Sequence, residues 1–191
     1  NIAKAHGVIL IKHDKIGYGR AYLEAFKRAR GQYLFMADAD GSYNFSEIPR
    51  FISELKAGAD LVIGDRFAGD IKNKAMPRLH RYIGNPLLSG LVRIFYGRSV
   101  RDVHCGLRAI KKNALDKLNL KTTGMEFASE MIIKAMKYDL IIKEFPIDYN
   151  LRQGQSKLRS FRDGWRHLRF ILLYSPLLLF FIPGSILFLA G

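Results

Sequence analysis

The sequence has little of several features that would assign it to a familiar class. It contains a single cysteine, Cys105, which excludes an internal disulfide and a cysteine-rich zinc site and suits a reducing compartment. The glycine-containing loop KIGYG at residues 15–19 lacks both the full GxGxxG pattern of dinucleotide sites and the GxxxxGKS/T pattern of P-loops. No RNA- or DNA-binding motif is evident. These absences argue against a conventional dinucleotide site, a P-loop enzyme and a nucleic-acid-binding module.

Acidic residues are also scarce, and their scarcity points to a polyanionic partner. The chain has 31 Lys and Arg residues against 17 Asp and Glu residues, a formal net charge of +14. Nucleic acid, an anionic membrane surface and phosphorylated substrates are the partners that such a charge attracts. A membrane is favoured because residues 170–191 carry no charge over their whole length, and about 20 apolar residues span a bilayer core.

The C-terminal part predicts a membrane-bound module of two pieces. Residues 151–169 are rich in Lys and Arg and contain apolar residues at helical spacing, which predicts a basic loop and a juxtamembrane amphipathic helix. The apolar positions of this helix are Phe161, Trp165, Leu168 and Leu172. Residues 170–191 predict the start of a transmembrane region, with Pro176 at the passage into a spanning helix. Basic residues beside a membrane segment favour the cytoplasmic side, so we expect residues 1–150 on the cytoplasmic face.

Residues 1–150 show the alternation of an α/β domain. Short apolar runs bounded by turn residues predict strands, and longer periodic runs predict helices. The predicted strands are 7–12, 32–37, 60–64, 105–110 and 140–145, and the predicted helices are 19–30, 47–57 after an N-cap at Ser46, most of 76–96 with breaks at Pro77 and Pro86, and 125–136. The succession of strand and helix over the first three strands indicates a parallel sheet, with 105–110 as an edge strand.

The most informative motif is the acidic pair in LFMADADGSY, at residues 34–43. Asp38 and Asp40 are separated by one residue, so in an extended segment their side chains point the same way. In open α/β sheets ligands gather beyond the carboxyl ends of the strands, where two carboxylates can share a hard cation such as Mg²⁺ or Mn²⁺. The alternative is a turn with solvated acids, since Asp and Gly are common turn residues.

Five segments together carry a resemblance to a known family. They are KIGYGRAYLEAFKRARGQYLFMADADGSY, VIGDRF, RDVHCGLRAIKK, GMEFASEMIIKA and LRQGQSKLRSFRDGWRHLRF, in this order along nearly the whole chain. They resemble the family 2 glycosyltransferases of the polyprenyl-phosphate sugar synthase type, of which dolichol-phosphate mannose synthase is the best-known member. The resemblance implies a GT-A (Rossmann-like) fold, a GDP- or UDP-hexose donor, a Mg²⁺ or Mn²⁺ ion and a dolichyl or undecaprenyl phosphate acceptor. It also implies an upstream part with the first strand and much of the nucleotide-base pocket, so that residues 1–150 are a partial GT-A domain.

The resemblance assigns roles to individual positions. Asp38 and Asp40 match the DxD acids that hold the metal on the donor diphosphate. Arg66 matches a basic position close to the phosphates, and Asp102 borders the sugar and acceptor site; with Asp40, these are the implied catalytic residues. The implied substrate-binding residues are Lys15, Gly17, Asp38, Arg108, Glu126, Glu130, Arg152, Ser156 and Lys157. One departure is Asp65, where the family often has a small hydroxyl residue, and this affects the positioning of Arg66.

Several of these residues have structural alternatives. Arg66 can be a surface charge, and Arg108 can pair with Asp102 as a structural bridge. Glu126 and Glu130 share a helix face, where two acids repel each other unless cations or hydroxyls face them. The lone histidines assigned to loop or packing roles are His80 and His104.

The implied reaction is a direct displacement with inversion at the anomeric carbon. A metal on the DxD acids stabilises the leaving nucleotide diphosphate. The acceptor oxygen belongs to a phosphate monoester with a second pKa of about 6, so a strong general base is less necessary than basic residues that align the acceptor. The residues expected to align it are Arg66, Arg152 and Lys157.

Other functions are also consistent with parts of the sequence. A family 2 enzyme that acts on another membrane acceptor, such as a growing polysaccharide, also uses DxD acids, but the QxxRW pattern of processive synthases is absent at Gln153 and Gln155. A nucleic-acid-binding module explains the charge but not the uncharged C-terminal run, and a non-catalytic membrane anchor does not explain the intact motifs. The sequence names neither the sugar nor the oligomeric state.

Overall fold

The computed structural model describes residues 5–11, 17–97, 100–154, 160–175 and 180–191. The strands are β1 (Tyr33–Met36), β2 (Leu61–Asp65), β3 (Arg108–Lys111) and β4 (Ile142–Pro146). The helices are α1 (Tyr18–Arg28), α2 (Ile48–Lys56), α3 (Asn85–Tyr96), α4 (Lys112–Leu118), α5 (Phe127–Lys137), α6 (Ser160–Leu173) and α7 (Ile182–Ala190). The predicted α/β class is confirmed, and most predicted elements are present with shifted boundaries.

The sheet is mixed, with the strand order β1-β3-β2-β4. β2 and β4 are parallel, but β3 is antiparallel to both of its neighbours. β1 and β2 therefore run in the same direction, as predicted, but the sheet is not purely parallel. The prediction that residues 105–110 form an edge strand was wrong, because β3 lies between β1 and β2. The centre of β3, Ala109 and Ile110, is fully buried, as an interior strand requires, but the charged residues at its two ends resemble those of an edge strand.

The predicted strand at residues 7–12 is not formed in the part that the structure describes. Residues 8–11 have no strand conformation, and Val8 and Ile9 are 55% and 79% exposed; Lys12 lies outside the described residues. No described strand pairs with this segment, and an extended segment needs such pairing to be stable. An apolar run by itself therefore did not decide the local structure.

Two helix starts also differ from the sequence prediction. The cap before α2 is Asn44 rather than Ser46, because the Asn44 side chain accepts the backbone N–H of Ser46 at 3.1 Å and opens a short 3₁₀ turn, Phe45–Glu47. Pro86 does not break a helix, because it lies in the first turn of α3, where its missing N–H has no partner to lose. A π-helical turn, His80–Gly84, directly precedes α3.

Helix α5 is the central helix of the domain. Every residue from Phe127 to Met136 is buried, so this helix is covered on all sides rather than on one face. Helix α1 packs closely against it through glycine. A Cβ atom on Gly19 would lie 2.4 Å from the Thr122 carbonyl oxygen and 2.7 Å from the Phe127 Cβ atom, so only glycine permits this approach.

The ends of several strands lie together at one edge of the sheet. The carboxyl ends of β1, β2 and β4 meet there, and β3 begins there because it runs in the opposite direction. The register places Arg108, the first residue of β3, opposite Met36 of β1 and Ile63 of β2. The DAD motif, the residues after β2, the segment before β3 and the segment after β4 are therefore brought together by topology.

Helix α6 carries the predicted amphipathic pattern, but its buried face was not predicted. Asp163, His167 and Ile171 are buried against the domain, whereas Trp165 is 63% exposed. Within the described ranges, no helix combines the length and the apolar composition needed to cross a membrane. Pro176, the predicted entry to the spanning helix, lies outside the described residues, and the transmembrane region stays a prediction.

Candidate active site

A cavity of about 270 Å³ opens at the sheet edge where these strand ends meet. Its sheet side is lined by Asp38, Tyr43, Arg66, Tyr149 and Arg152. Its opposite side, formed by helices and the segment before β3, includes His80, Asn85, Leu88, His104, Asp163 and His167. The volume is at the lower end of small-molecule pockets, which have about 300–1,000 Å³. Three residues predicted from distant parts of the sequence, Asp38, Arg66 and Arg152, thus share one cavity.

The two acids of the DAD motif influence each other. Burial raises the pKa of Asp38 above its usual value, and the Asp40 carboxylate raises it further. Asp40 is fixed by Ser42, whose backbone N–H donates to Asp40 Oδ1 at 3.0 Å and whose hydroxyl donates to the same oxygen. Ser42 is fully buried. The motif is therefore a positioned pair of carboxylates rather than a solvated turn.

Arg152 is the cation nearest to this pair among the described ion pairs. Its Nη2 atom lies 2.9 Å from Asp40 Oδ2. The backbone N–H of Gln153 donates to the Asp40 carbonyl oxygen at 2.6 Å, so the start of the basic loop is tied to the acidic motif. Both side chains of the ion pair are about one quarter exposed, at 28% for Arg152 and 24% for Asp40, which leaves the pair open to exchange.

Arg66 forms a buried, bidentate ion pair with Asp102. Arg66 Nε donates to Asp102 Oδ2 at 2.6 Å and Nη2 donates to Oδ1 at 2.8 Å, and both side chains are buried. Burial opposes the charge of Arg66, but the Asp102 carboxylate more than compensates and raises the pKa of the guanidinium. The guanidinium also lies over the Tyr149 ring, 5.1 Å from its centroid. Asp102 does not line the cavity, so it acts through Arg66 as a positioning residue.

The turn after β2 explains the departure at Asp65. Asp65 Oδ1 accepts the backbone N–H groups of Phe67 and Ala68 at 2.9 and 3.1 Å. A buried carboxylate thus closes the turn that contains Arg66. Asp65 therefore holds the position of Arg66.

The residues of the DAD motif fit a divalent cation. Among the described residues, no group of three or more His, Cys, Asp or Glu side chains is placed to hold a metal ion. Mg²⁺ in phosphate-transfer sites needs only one or two carboxylates, because water and substrate phosphates fill its other positions. Burial, and after it the neighbouring Asp40 carboxylate, raises the pKa of Asp38, and Arg152 already supplies a positive charge to Asp40.

Comparison with known proteins agrees with this geometry. The sequence model described as Glycosyl transferase family 2 matches residues 1–118, more than half of the chain. This chain belongs to glycosyl transferase family 2. The family resemblance inferred from the motifs is thereby confirmed.

Two curated relatives of this chain come from Haloferax volcanii. The low-salt glycan biosynthesis hexosyltransferase Agl6 is 48% identical over 96% of this chain and 45% of its own length. A dolichyl-phosphate hexose transferase is 30% identical over 85% of this chain and 70% of its own length. The chain thus spans about half the length of the first of these relatives.

A solved structure supports the fold of this family 2 domain. Glucosyl-3-phosphoglycerate synthase from Mycobacterium tuberculosis, in complex with Mn²⁺, UDP and glucosyl-3-phosphoglycerate, has a TM-score of 0.68 and 17% sequence identity. The alignment covers 91% of this chain and 63% of that chain. The fold is therefore α/β and GT-A-like, with the mixed sheet described above.

Arg108 does not form the alternative ion pair with Asp102. Its guanidinium donates to three backbone carbonyl oxygens, those of Cys105, Val103 and Ala128, at 2.7, 2.7 and 2.9 Å. Arg108 is 1% exposed. It therefore joins the segment before β3 to helix α5 and stabilises the wall of the cavity.

The two acids of the MEFASE segment have separate surroundings. Glu130 is fully buried and accepts the backbone N–H groups of Lys121 and Thr122, and it pairs with Lys134 at 2.7 Å. Burial opposes its charge, but these contacts lower the pKa of Glu130. Glu126 Oε1 accepts the Gly124 N–H at 3.3 Å. Neither glutamate lines the cavity, and Glu130 acts as an anchor for the segment before α5.

The KIGYG loop, which contains the implied substrate-binding residues Lys15 and Gly17, leads into contacts within the protein where the structure describes it. The backbone N–H groups of Gly19 and Arg20 donate to the carbonyl oxygens of Gly124 and Thr123 at 3.2 and 3.1 Å. A Cβ atom on Gly17 would lie 2.4 Å from the Thr123 carbonyl oxygen. This geometry assigns Gly17 to helix packing. The predicted residues that lie outside the described part of the chain are Lys15, Ser156 and Lys157.

Sequence reasoning missed a polar cluster on the far wall of the cavity. His104, which was assigned a loop or packing role, contacts Ser129 and His167. Asp163 and His167 are four residues apart, so the sequence did show that they share one face of α6. It did not show that this face turns inward.

Proposed function

We propose that this chain is the catalytic part of a membrane-associated, inverting hexosyltransferase. The proposed reaction moves a hexose from a GDP- or UDP-sugar to a polyprenyl phosphate. The observation that carries the proposal is the meeting of Asp38 and Arg152 in one cavity, with Arg152 paired to Asp40. Such a transfer needs an acidic pair that holds a metal ion on the donor diphosphate and a partly exposed cation that binds an anionic acceptor.

Different residues of the site bind the donor and the acceptor. A divalent cation held by Asp38 and Asp40 would supply positive charge to the leaving diphosphate. Ser42 keeps Asp40 in place for this role, and Asp102 keeps Arg66 directed by a bidentate contact. Arg152 exchanges its contact with Asp40 for a contact with substrate phosphate, because phosphate is the more highly charged partner.

A single displacement follows from the ionisation of the acceptor. A phosphate monoester is mostly ionised at neutral pH, since its second pKa is about 6, so its oxygen attacks without a strong base. The site needs instead to align two anions, and the buried Arg66 and the partly exposed Arg152 provide fixed and movable positive charge. One displacement inverts the configuration at the anomeric carbon.

The membrane acceptor is supported by the composition of the C-terminal part. Exposed apolar side chains on α6 and α7 include Trp165, Leu173, Phe188 and Leu189, at 63%, 54%, 85% and 83%. Arg162, Arg166 and Arg169 accompany them on α6. Apolar and basic residues on one helix favour an anionic membrane surface. The name of the relative that transfers hexose on dolichyl phosphate supports the same acceptor class.

The proposal is tested by a donor panel on the full-length protein in membranes. UDP- and GDP-hexoses are offered with polyprenyl phosphate and Mg²⁺ or Mn²⁺, and labelled lipid product is measured together with its anomeric configuration. We expect one donor class to give a lipid-phosphate sugar with inverted configuration that requires the cation. Net retention would contradict the single displacement, and product only on an elongating polysaccharide would replace the proposed acceptor by the alternative one.

Replacement of Arg152 is expected to separate the two substrates of the reaction. In Arg152→Gln we expect the KM for polyprenyl phosphate to rise about 10-fold to 100-fold, because a charge-assisted hydrogen bond contributes roughly 1.5–3 kcal/mol. The metal concentration for half-maximal activity is expected to fall, because Asp40 loses its competing cation. Steady-state kinetics with varied acceptor and varied Mn²⁺ measure both effects. The matched control is Arg28→Gln, at an exposed position in the last turn of α1 and outside the cavity; equal effects in the two variants would contradict the assignment.

A further inference from the structure

The far wall of the cavity contains three polar groups in mutual contact. Ser129 Oγ lies 2.8 Å from His167 Nδ1 and 3.2 Å from His104 Nε2, and the two histidine nitrogens are 3.3 Å apart. The groups come from three elements, since Ser129 belongs to α5, His167 to α6 and His104 to the segment before β3. The histidine rings are nearly perpendicular, with centroids 4.5 Å apart.

The proton count of this cluster leaves one ring nitrogen for another partner. Burial lowers the pKa of His104 and lowers that of His167 to about 4, so both rings are neutral at neutral pH and each carries one proton. If Ser129 donates to His167, His104 donates through Nε2 and its Nδ1 is an acceptor. If the chain of hydrogen bonds runs the other way, Nδ1 carries the proton and is a donor.

The remaining nitrogen, His104 Nδ1, is a buried polar atom without a hydrogen-bond partner among the described residues. Buried polar atoms in native proteins nearly always have a partner, so such an atom requires an explanation. Its side chain lines the cavity. A hydroxyl group both donates and accepts, so it would pair with Nδ1 in either protonation arrangement once it displaces the side chains that cover this buried atom.

The position of His104 in the cavity indicates which hydroxyl it meets. Asp38 lies on the sheet side, where the donor diphosphate is bound in the proposed function, and Asp163 and His167 of α6 lie on the side of the predicted membrane helix. In a direct transfer the sugar ring must lie between the leaving diphosphate and the incoming acceptor. A space of about 270 Å³ suits one sugar ring and not a whole nucleotide sugar.

We infer that the cluster His104–Ser129–His167 recognises a hydroxyl of the transferred hexose through His104 Nδ1 and thereby determines which hexose is transferred. This inference rests on the proposed function. Ser129 and His167 are positioning residues, because they orient the His104 ring without needing to touch the sugar. Asp163, four residues before His167 on α6, places a carboxylate on the same wall.

Two substitutions of His104 separate recognition from structural support. His104→Asn keeps a polar atom near the position of Nδ1 but removes the contact with Ser129 and His167. His104→Gln keeps a polar atom near the position of Nε2 but removes Nδ1. If His104 recognises sugar, Gln loses selectivity and Asn retains part of it; if His104 only supports the fold, the order is reversed.

The measurement is kcat/KM on the full-length enzyme with the accepted nucleotide hexose and with its deoxy counterparts, each lacking one hydroxyl. We expect His104→Gln to lower kcat/KM for the accepted hexose by about 10-fold to 100-fold. For one deoxy counterpart, kcat/KM is expected to stay as in the wild type. Ser129→Ala is expected to give a smaller loss at the same hydroxyl, and His6→Gln, at an exposed position outside the cavity, is the control.

Several outcomes would overturn the inference. They are an equal loss for all donors, no loss for any donor, or the opposite order of the Asn and Gln variants. Thermal unfolding of each variant detects misfolding. If the His104 variants do not fold, Ser129→Ala is compared with the wild type instead. If the wild type transfers hexose to no polyprenyl phosphate, the proposed function is wrong but the inference about His104 is still tested. Calorimetric binding of the same donors in the presence of Mn²⁺ then compares the selectivity of His104→Asn with that of His104→Gln.

Discussion

Replacement of Asp40 by asparagine is expected to lower kcat for glycosyl transfer by about a thousandfold while leaving the protein folded. A metal ion contributes several kcal/mol of charge stabilisation to a leaving group, and roughly 4 kcal/mol corresponds to a factor of about a thousand in rate. Asparagine keeps an oxygen for the two contacts from Ser42 but removes the negative charge. The partly exposed ion pair with Arg152 contributes less than about 1 kcal/mol to stability, so the melting temperature changes little.

Transfer rates with varied Mn²⁺ and a thermal unfolding curve test this expectation together. Asp116→Asn is the matched control, because Asp116 forms a solvent-exposed ion pair with Lys112 on α4, away from the cavity. Wild-type activity of Asp40→Asn at saturating Mn²⁺ would show that Asp40 does not hold the metal. An unfolded variant would show that Asp40 serves the fold rather than the reaction.

Replacement of Asp102 by asparagine is expected to lower the free energy of unfolding by about 3–5 kcal/mol. The substitution leaves the buried guanidinium of Arg66 without a counter-charge, and breaking a buried ion pair from one side has a cost of this size. Arg66 is 8% and Asp102 0% exposed in their side chains, and two hydrogen bonds from the guanidinium and one from the Arg66 backbone N–H join them. For a chain of this length the melting temperature should fall by about 10 °C.

Denaturant unfolding compares this variant with one at an exposed pair. Asp70→Asn removes an ion pair with Lys72 at the surface, and its effect should stay below about 1 kcal/mol. The double variant Arg66→Met with Asp102→Leu should recover most of the lost stability, because an apolar pair of similar volume replaces both charges. It should remain inactive, since Arg66 lines the cavity. An equal stability loss in Asp102→Asn and Asp70→Asn would contradict the importance of burial.

The site illustrates which contacts a sequence can predict. Asp38 and Asp40 were recognised because both acids lie within three residues and directly follow a strand, so their relation is local. The partner of Asp102 was not recognisable, because Arg66 and Arg108 are both arginines near strand ends. The antiparallel insertion of β3 decided between them: it turned Arg108 into the interior and left Arg66 opposite Asp102.

The sequence did not predict which residues of α6 form the helical wall of the cavity, for a related reason. The periodicity of α6 showed that Asp163 and His167 share a face, but Trp165 and the other apolar residues suggested that the apolar face was the important one. In the structure, Asp163 and His167 are buried while Trp165 is exposed. Burial of a polar face is favourable only where other polar groups meet it, as Ser129 and His104 do here.

The sequence by itself determined the α/β class, the family, the acidic DAD motif and the basic, apolar character of the C-terminal part, because each depends on residues close together in the chain or on composition. The tertiary structure alone decided the mixed sheet, the pairing of Arg66 with Asp102 and the cluster of His104, Ser129 and His167. Those features join segments tens of residues apart. Their partners are selected by strand order and helix packing, which no local pattern in the sequence encodes.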